Sequence, residues 1–415
     1  MKVLIVSTSD IRGGAARAAY RLHQSLLTKG VDSQVLVQSK TSDDYRVLAP
    51  ETKLKKIFSR LRQALDSLPV HLYKRRTKTL FSPSWVPFSN VVKQINAFNP
   101  DVVHLHWVAA GMMRIEDIAK IKAPIVWSLH DMWAFTGGCH YDEHCDAFKN
   151  ECGNCKVLQS SKEFDLSRKV YKRKLKTYAE IKNLVVVGSS QWITKCAKES
   201  SLFKEREIVT LTNCLDTELF KKIDQKTARN VFHIPQDKKV ILFGAMSPLG
   251  DPRKGAKELF EAINQLDLEN AVFVIAGSSK PKQPLSFKYP VYFIPPLHDE
   301  VSLPLMYNVA DVMIVPSLQE NLANSIVESL SCGVPVVAFD IGGNPDIISH
   351  KKNGYLVEPF NIDDMVDGIE WVLSNKSHSA LSKRARESAI SKYSFNVISE
   401  KYINLYESVI EGSKP

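Results

Sequence analysis

Two glutamates, Glu320 and Glu328, stand eight residues apart in "PSLQENLANSIVESLSCGVPVV", Pro316 to Val337. Pro316-Ser317 close an apolar run, and Gly333 and Pro335 stop a helix and restart a strand. The spacing therefore predicts a helix beginning near Asn324. Glu320 then lies in the loop before the helix and Glu328 in its first turns. The N–H groups and positive dipole end of such a helix attract phosphate. Ser325-x-x-Glu328 also reads as a capping box, with Glu320 a solvated loop charge. Spacing alone leaves both readings open.

Other side chains fit the same chemistry. "GAMSPLGDPRKGAKEL" (Gly244 to Leu259) sets Arg253 and Lys254 before Gly255. By themselves they read as a solvated basic loop. "DIRGGAARAA" (Asp10 to Ala19) places Gly13 and Gly14 at a strand-to-helix turn, where glycine lets backbone approach a ligand closely. His130 ends the run "PIVWSLH", while His104 and His106 flank Leu105 and read as buried structural histidines, with one of them serving an acceptor site as the alternative. Four of the seven cysteines fall in "CHYDEHCDAFKNECGNC". In a reducing compartment a cluster like this reads as metal ligands. Cys139, Cys145, Cys152 and Cys155 are expected to hold a structural zinc that pins the loop after His130; free thiols or a redox pair are the alternative. His140 and His144 can each replace one cysteine.

These residues must be carried on alternating strands and helices. Short, continuous apolar runs recur in both halves. In the first they are "KVLIVS", "SQVLVQ", "DVVHLH", "PIVWSLH", "NLVVVGSS" and "EIVTLTN". In the second they are "KVILFGA", "AVFVIAG", "VYFIP", "DVMIVPS", "PVVAFD" and "GYLVEP". Such runs fit strands buried on both faces of parallel sheets. The expected fold class is α/β, with two doubly wound, Rossmann-like parallel-sheet domains facing a cleft. The first spans 1–215 and carries the Cys-rich loop 139–155. The second spans 216–390, and a closing helix in 391–415 packs back on the first. A polar, strand-poor stretch from Asn213 to Lys239 marks the boundary.

Net charge is +10, unevenly spread: residues 1–210 hold 34 basic and 20 acidic side chains, and the remainder 21 and 25. The first half is thus expected to face something anionic. In "KLKKIFSRLRQALDSLPVHLYKRR" (Lys53 to Arg76), Leu54, Ile57, Phe58, Leu61, Leu65 and Leu68 recur at helical spacing among basic residues. This suits peripheral contact with an anionic inner membrane, or a helix packed on its own domain. No motif accompanies the charge to suggest nucleic acid. The first residues do not form a signal peptide and no apolar run spans a bilayer. The expected location is cytoplasmic, peripheral on the inner face of the plasma membrane if the basic helix serves that surface.

In order, "ENLANSIVE", "CGVPVVAFD", "GGNPDII" (Gly342 to Ile348) and "NGYLVEP" resemble the Glu-x7-Glu signature of retaining, nucleotide-sugar-dependent glycosyltransferases of the GT-B fold, family 4-like. "LHDMWAFTGGC" is similar to the colanic-acid and polysaccharide-assembling subgroup. The resemblance implies that the first domain binds the acceptor and the second a nucleoside-diphosphate sugar. By the same resemblance, Glu320 and the N–H groups of Asn321, Leu322 and Ala323 reach the donor sugar. Glu328 holds the ribose hydroxyls, and Ser325, Lys254 and Arg253 meet the diphosphate. Gly13 and Gly14 approach the diphosphate and acceptor, and His130 lies near the sugar. The usual arginine position falls here on Ala245, so Arg253 stands in for it. No cofactor is implied for catalysis. The implied reaction moves a hexose-type sugar, with retention, to a saccharide or lipid-linked acceptor in cell-surface polysaccharide biosynthesis. A sugar-nucleotide epimerase of related fold, or a non-catalytic zinc-stapled module binding anionic polymer, are the rival readings.

Overall fold

The computed structural model describes residues 1–280, 287–297, 299–374, 376 and 378–413. The chain divides into two compact units: Met1–Thr212 with Ser399–Pro415, and Asn213–Ile398.

The first unit is built on a seven-stranded sheet. Its strands are β1 (Lys2–Ser9), β2 (Asp32–Ser39), β3 (Val47–Leu48), β4 (Val102–Leu105), β5 (Ile125–Leu129), β6 (Leu184–Gly188) and β7 (Glu207–Thr210). Their spatial order is β3-β2-β1-β4-β5-β6-β7, and every pairing is parallel. The apolar runs became strands because a central parallel strand is covered on both faces. All residues of β4 and β5 are buried. The two-residue β3 was not foreseen; it is too short to show a period. Helix α1 (Gly14–Thr28) follows β1, and α2 (Lys53–His71) follows β3. From Ser399 onward the closing helix, Phe395–Glu411, belongs to this unit. There Tyr406 Oη lies 2.6 Å from His104 Nδ1, and Lys29 pairs with Glu400 at 2.7 Å.

The second unit has a six-stranded sheet: β8 (Lys239–Gly244), β9 (Ala271–Ala276), β10 (Val291–Ile294), β11 (Val312–Val315), β12 (Val336–Phe339) and β13 (Gly354–Val357). The order is β10-β9-β8-β11-β12-β13, again wholly parallel. Alternate residues of β8 enter opposite cores. Val240 and Leu242 pack with Ile326 and Leu330, whereas Ile241 and Phe243 pack with Leu259 and Ile369. Both faces are therefore apolar, which is why β8 reads as an unbroken hydrophobic run.

Candidate active site

In the second unit the winding direction reverses between β8 and β11, which are neighbours in space. Ligands of doubly wound sheets bind beyond the carboxyl ends of strands at such a switch point. The loop after β8 brings Lys254 there, and the loop after β11 brings Glu320. Lys254 Nζ donates to Glu320 Oε2 at 2.7 Å, with side-chain exposures of 23% and 14%.

Backbone contacts fix this meeting. Leu318 N–H donates to the Arg253 carbonyl at 2.8 Å. Gly255 has φ +68°, and a Cβ there would lie 1.7 Å from the Pro316 carbonyl oxygen. Gly342, from "GGNPDII", has φ +53°, and its Cβ would lie 1.8 Å from the carbonyl oxygen of Glu320. Three loops thus converge at a closeness only glycine permits. Arg253 is placed differently from Lys254. Asp251 caps the turn Pro252–Lys254 and receives the Arg253 guanidinium at 2.6 Å.

The helix Asn324–Ser331 starts where the spacing predicts. Its N-cap is Ala323, which has no side-chain acceptor, whereas Asp224 caps Gln225–Val231 through its carboxylate. Asn321, Leu322 and Ala323 are buried in the approach to the helix. The capping box does not form. Ser325 lies inside the first turn, and Glu328, only 5% exposed, accepts from Tyr307 Oη at 2.5 Å. Tyr307 sits on the helix Ser302–Asn308, twenty-one residues upstream. Nothing in the local spacing signalled it.

The first unit has its own switch point between β1 and β4. After β1, Gly13 N-caps α1 with φ +97° and no side-chain acceptor. A Cβ there would meet nothing within 4 Å, so the conformation, not crowding, calls for glycine. Asp10 shapes the turn. Burial pushes its carboxyl pKa up, but N–H donors from Ser42 and Thr41, at 2.8 and 2.9 Å, leave it lowered.

At the carboxyl ends of β4 and β5, three histidines form a connected row: His104 within β4, His106 just after it and His130 just after β5. His104 is structural: Nδ1 meets Tyr406 Oη and Nε2 meets Ser128 Oγ at 2.8 Å. His106 Nδ1 lies 2.8 Å from His130 Nε2, with the rings stacked. His106 Nε2 is buried with no partner among the described residues. An unpaired acceptor is cheaper to bury than an unpaired N–H, so we assign the His106 proton to Nδ1. His130 Nε2 then accepts, and its proton sits on Nδ1. Burial lowers the pKa of His130 to about 4, partly offset by Asp131, and that of His104 to about 3. His130 is therefore a neutral hydrogen-bond donor at pH 7.

The segment after His130 is braced by polar contacts that sequence reasoning missed. Asp131 accepts from Trp107 Nε1 at 2.8 Å and lies 2.6 Å from His140 Nδ1, while His140 Nε2 lies 2.9 Å from Ser82 Oγ. The Ser–His–Asp connectivity is that of a hydrolase triad. Ser82 and His140 are each only 3% exposed, so here it fastens the loop. Lys174, fully buried, donates to the Trp133 and Thr136 carbonyls; burial lowers its pKa to about 7.

The four clustered cysteines lie in this same segment. Among the described residues no three His, Cys, Asp or Glu groups stand where one metal ion could take them all. None of the seven cysteines is in a disulfide. Cys139, Cys152 and Cys155 are buried, and Cys152 Sγ accepts from Gly137 N–H at 3.1 Å. Burial pushes the Cys152 pKa up to about 12 and that of Cys155 to about 11.

Comparison with known proteins accords with both units. Residues 12–218 match the family model described as Glycosyltransferase Family 4, and residues 224–390 match Glycosyl transferases group 1. An uncharacterized 41.2 kDa protein in the cps region of Klebsiella pneumoniae is 24% identical over 373 residues, covering 88% of this chain and 92% of that protein. An uncharacterized glycosyltransferase of Methanocaldococcus jannaschii is 30% identical over 192 residues, and the chain spans only 48% of its length and 44% of its own. Among solved structures, Anabaena HepE in complex with UDP and glucose superposes with a TM-score of 0.66 at 15% identity, covering 98% of this chain and 100% of that one. At that identity the likeness concerns the fold, which is GT-B. With a family 4 region on its first sheet and a group 1 region on its second, the chain belongs to the GT-B glycosyltransferases of the group 1 and family 4 type.

Proposed function

We propose that this glycosyltransferase moves a hexose-type sugar, with retention of configuration, from a nucleoside-diphosphate sugar to a saccharide or lipid-linked acceptor of cell-surface polysaccharide. The observation that carries the reading is the Lys254–Glu320 pair at the β8/β11 switch point, ahead of a helix whose cap offers no side-chain acceptor. An ammonium has three donors, so Lys254 can hold Glu320 and a phosphate oxygen together. As the glycosidic bond breaks, charge grows on the departing diphosphate. Lys254, Ser325 and the dipole of the Asn324–Ser331 helix stabilise it. Glu320 and the N–H groups of Asn321, Leu322 and Ala323 orient the sugar, and Glu328, set by Tyr307, takes the ribose diol. Arg253 joins the diphosphate after exchanging Asp251 for it. The acceptor hydroxyl attacks from the face the diphosphate leaves, and a leaving phosphate oxygen takes its proton.

In the first unit Gly13, Gly14 and His130 are assigned to substrate at the carboxyl edge of their sheet. Neutral His130 donates a hydrogen bond to a sugar oxygen. The names of relatives support the substrate classes. HepE has been solved with UDP-glucose, and a Campylobacter jejuni relative, 27% identical over 164 residues, is named for transfer to a diphospho-undecaprenol acceptor.

The test is a thermal-shift panel of uridine, guanosine and adenosine diphosphate sugars, followed by assay of nucleoside diphosphate release with and without saccharide acceptors. One nucleotide class should stabilise the chain, and release should depend on acceptor. No stabilisation by any member would sink the proposal. Turnover of the donor without acceptor would favour an epimerase.

A further inference from the structure

Helix α2 is turned inside out. Amphipathic helices of globular domains put the apolar stripe on the core. Here the buried positions are Ser59, Arg62, Asp66 and Val70. Arg62 explains the inversion: it donates to the Gly111 carbonyl at 2.8 Å and the Val86 carbonyl at 2.9 Å, and also to the Pro87 carbonyl. Ser59 Oγ donates to the Gln38 carbonyl, and Asp66 accepts from Trp85 N–H. These polar anchors hold α2 against irregular loops whose carbonyls need donors.

The apolar side chains are left outside. Leu54 is 80% exposed, and Ile57, Phe58, Leu61, Leu65 and Leu68 are also exposed. At about 100° per residue these positions fall within about 60° of one line along the helix. Lys53, Lys56 and Arg60, all exposed, form a second line beside it, and Lys55 and the exposed Lys74 and Arg75 extend the charge. The only acidic residue on α2, Asp66, is buried. The loop that Arg62 ties to the helix adds Trp85 and Phe88, the latter 86% exposed. No helix among the described residues is long and apolar enough to cross a membrane.

We propose that α2 is a monotopic anchor that lays its apolar stripe into the interface of an anionic bilayer, with its basic line on the lipid headgroups. The charge selects the occupant. A second copy would bring the same uncompensated basic line to the contact, whereas an anionic lipid surface complements both lines at once. The proposal does not depend on the transferase chemistry, and its test reads binding alone.

The full chain is floated with phosphatidylcholine vesicles, with and without phosphatidylglycerol. It should rise with the anionic vesicles only, and added salt should release it. Each basic residue near such a surface contributes about fivefold in affinity, so Lys53→Gln, Lys56→Gln and Arg60→Gln together should weaken binding on the order of 100-fold. Leu61→Glu with Leu65→Glu should abolish it. Because these side chains are exposed, the melting temperature should hold, and that measurement separates lost binding from lost folding. Absence of wild-type flotation, or equal flotation with neutral vesicles, would overturn the proposal. So would a concentration-dependent dimer that Leu61→Glu dissociates in the absence of lipid.

Discussion

Replacing Lys254 by methionine separates structure from chemistry at the switch point. Lys254 and Glu320 are 2.7 Å apart and largely shielded, so removing the ammonium strands a carboxylate in a poorly hydrated position. Losing one partner of such a hydrogen bond costs about 1–3 kcal/mol of stability. Glu320→Gln alone leaves the ammonium facing a neutral acceptor, a smaller loss. The double variant has no stranded charge, so urea denaturation should show a coupling of roughly 1 kcal/mol in its favour. Catalysis should behave otherwise. If Lys254 meets the departing diphosphate, its loss removes a donor to charge that develops in the transition state, worth about 10²–10³ in kcat. The Glu320→Gln change cannot restore that. The assay is nucleoside diphosphate release, with the donor identified by thermal shift, measured for wild type, both single variants and the double. The expected pattern is recovered stability with unrecovered turnover. A double variant that regains turnover along with stability would refute the reasoning, leaving Lys254 only as the structural partner of Glu320.

Four further outcomes are expected. Gly255→Ala and Gly342→Ala each drive a Cβ into a carbonyl oxygen from a left-handed backbone, and should cost at least about 2 kcal/mol by urea denaturation; wild-type midpoints would mean the three loops are not locked together. Tyr307→Phe removes a donor to buried Glu328 and should cost about 1.5–3 kcal/mol. It should also weaken nucleotide binding in calorimetry, whereas unchanged affinity would confine Glu328 to a structural role. His104, His106 and His130 are held neutral in the fold, so the unfolded chain takes up their protons first. Stability should be complete above about pH 6.5 and fall as pH drops toward 4, by about 2 kcal/mol per histidine between pH 7 and 5; a denaturation midpoint flat across that range would contradict it. The buried thiols of Cys139, Cys152 and Cys155 should resist a thiol reagent at pH 8 in the folded chain while half-buried Cys145 reacts. One equivalent of zinc, lost in Cys152→Ser with Cys155→Ser, would instead make them metal ligands.

The sheets were legible because parallel strands covered on both faces leave an unbroken apolar run, as in "KVILFGA" for β8 and "PIVWSLH" for β5. Strand ends were less clear. The runs from "DVVHLH" onward overshoot by a residue or more into the following loop, as His130 does after β5 and Pro316 after β11, whereas "KVLIVS" and "SQVLVQ" stop short of the ends of β1 and β2. The edge strand β3 pairs through two residues, Val47 and Leu48, and tertiary contact alone makes it a strand. The faces of α2 were the real ambiguity. Its periodicity gave the apolar stripe correctly, but periodicity reports only that a helix has two sides. Which side the domain takes is decided by Arg62, whose three carbonyl partners lie 24 to 49 residues away.

The site shows the same division between local and distant information. Glu320, Lys254 and the helix start at Asn324 follow from loop length after a strand and from glycine placement, both short-range properties. Their convergence also follows, once β8 and β11 are taken as the neighbours at which winding reverses. Glu328 did not follow. Its spacing from Ser325 satisfies the capping-box pattern, yet the helix is capped one residue before Asn324, so Ser325 is inside the first turn and cannot serve. A two-residue difference in where the cap falls turns Glu328 from a helix-end acceptor into a buried carboxylate whose geometry is set by Tyr307 on another helix. The cysteines depend on distant information in another way. The terminal C-x-x-C is a strong local pattern, but ligand geometry depends on where Cys139 and Cys145 arrive. The Asp131–His140–Ser82 brace and the buried Lys174 also fasten that segment. Where a residue's role depends on a partner brought by another element, spacing names the candidates, and only the packing between elements chooses among them.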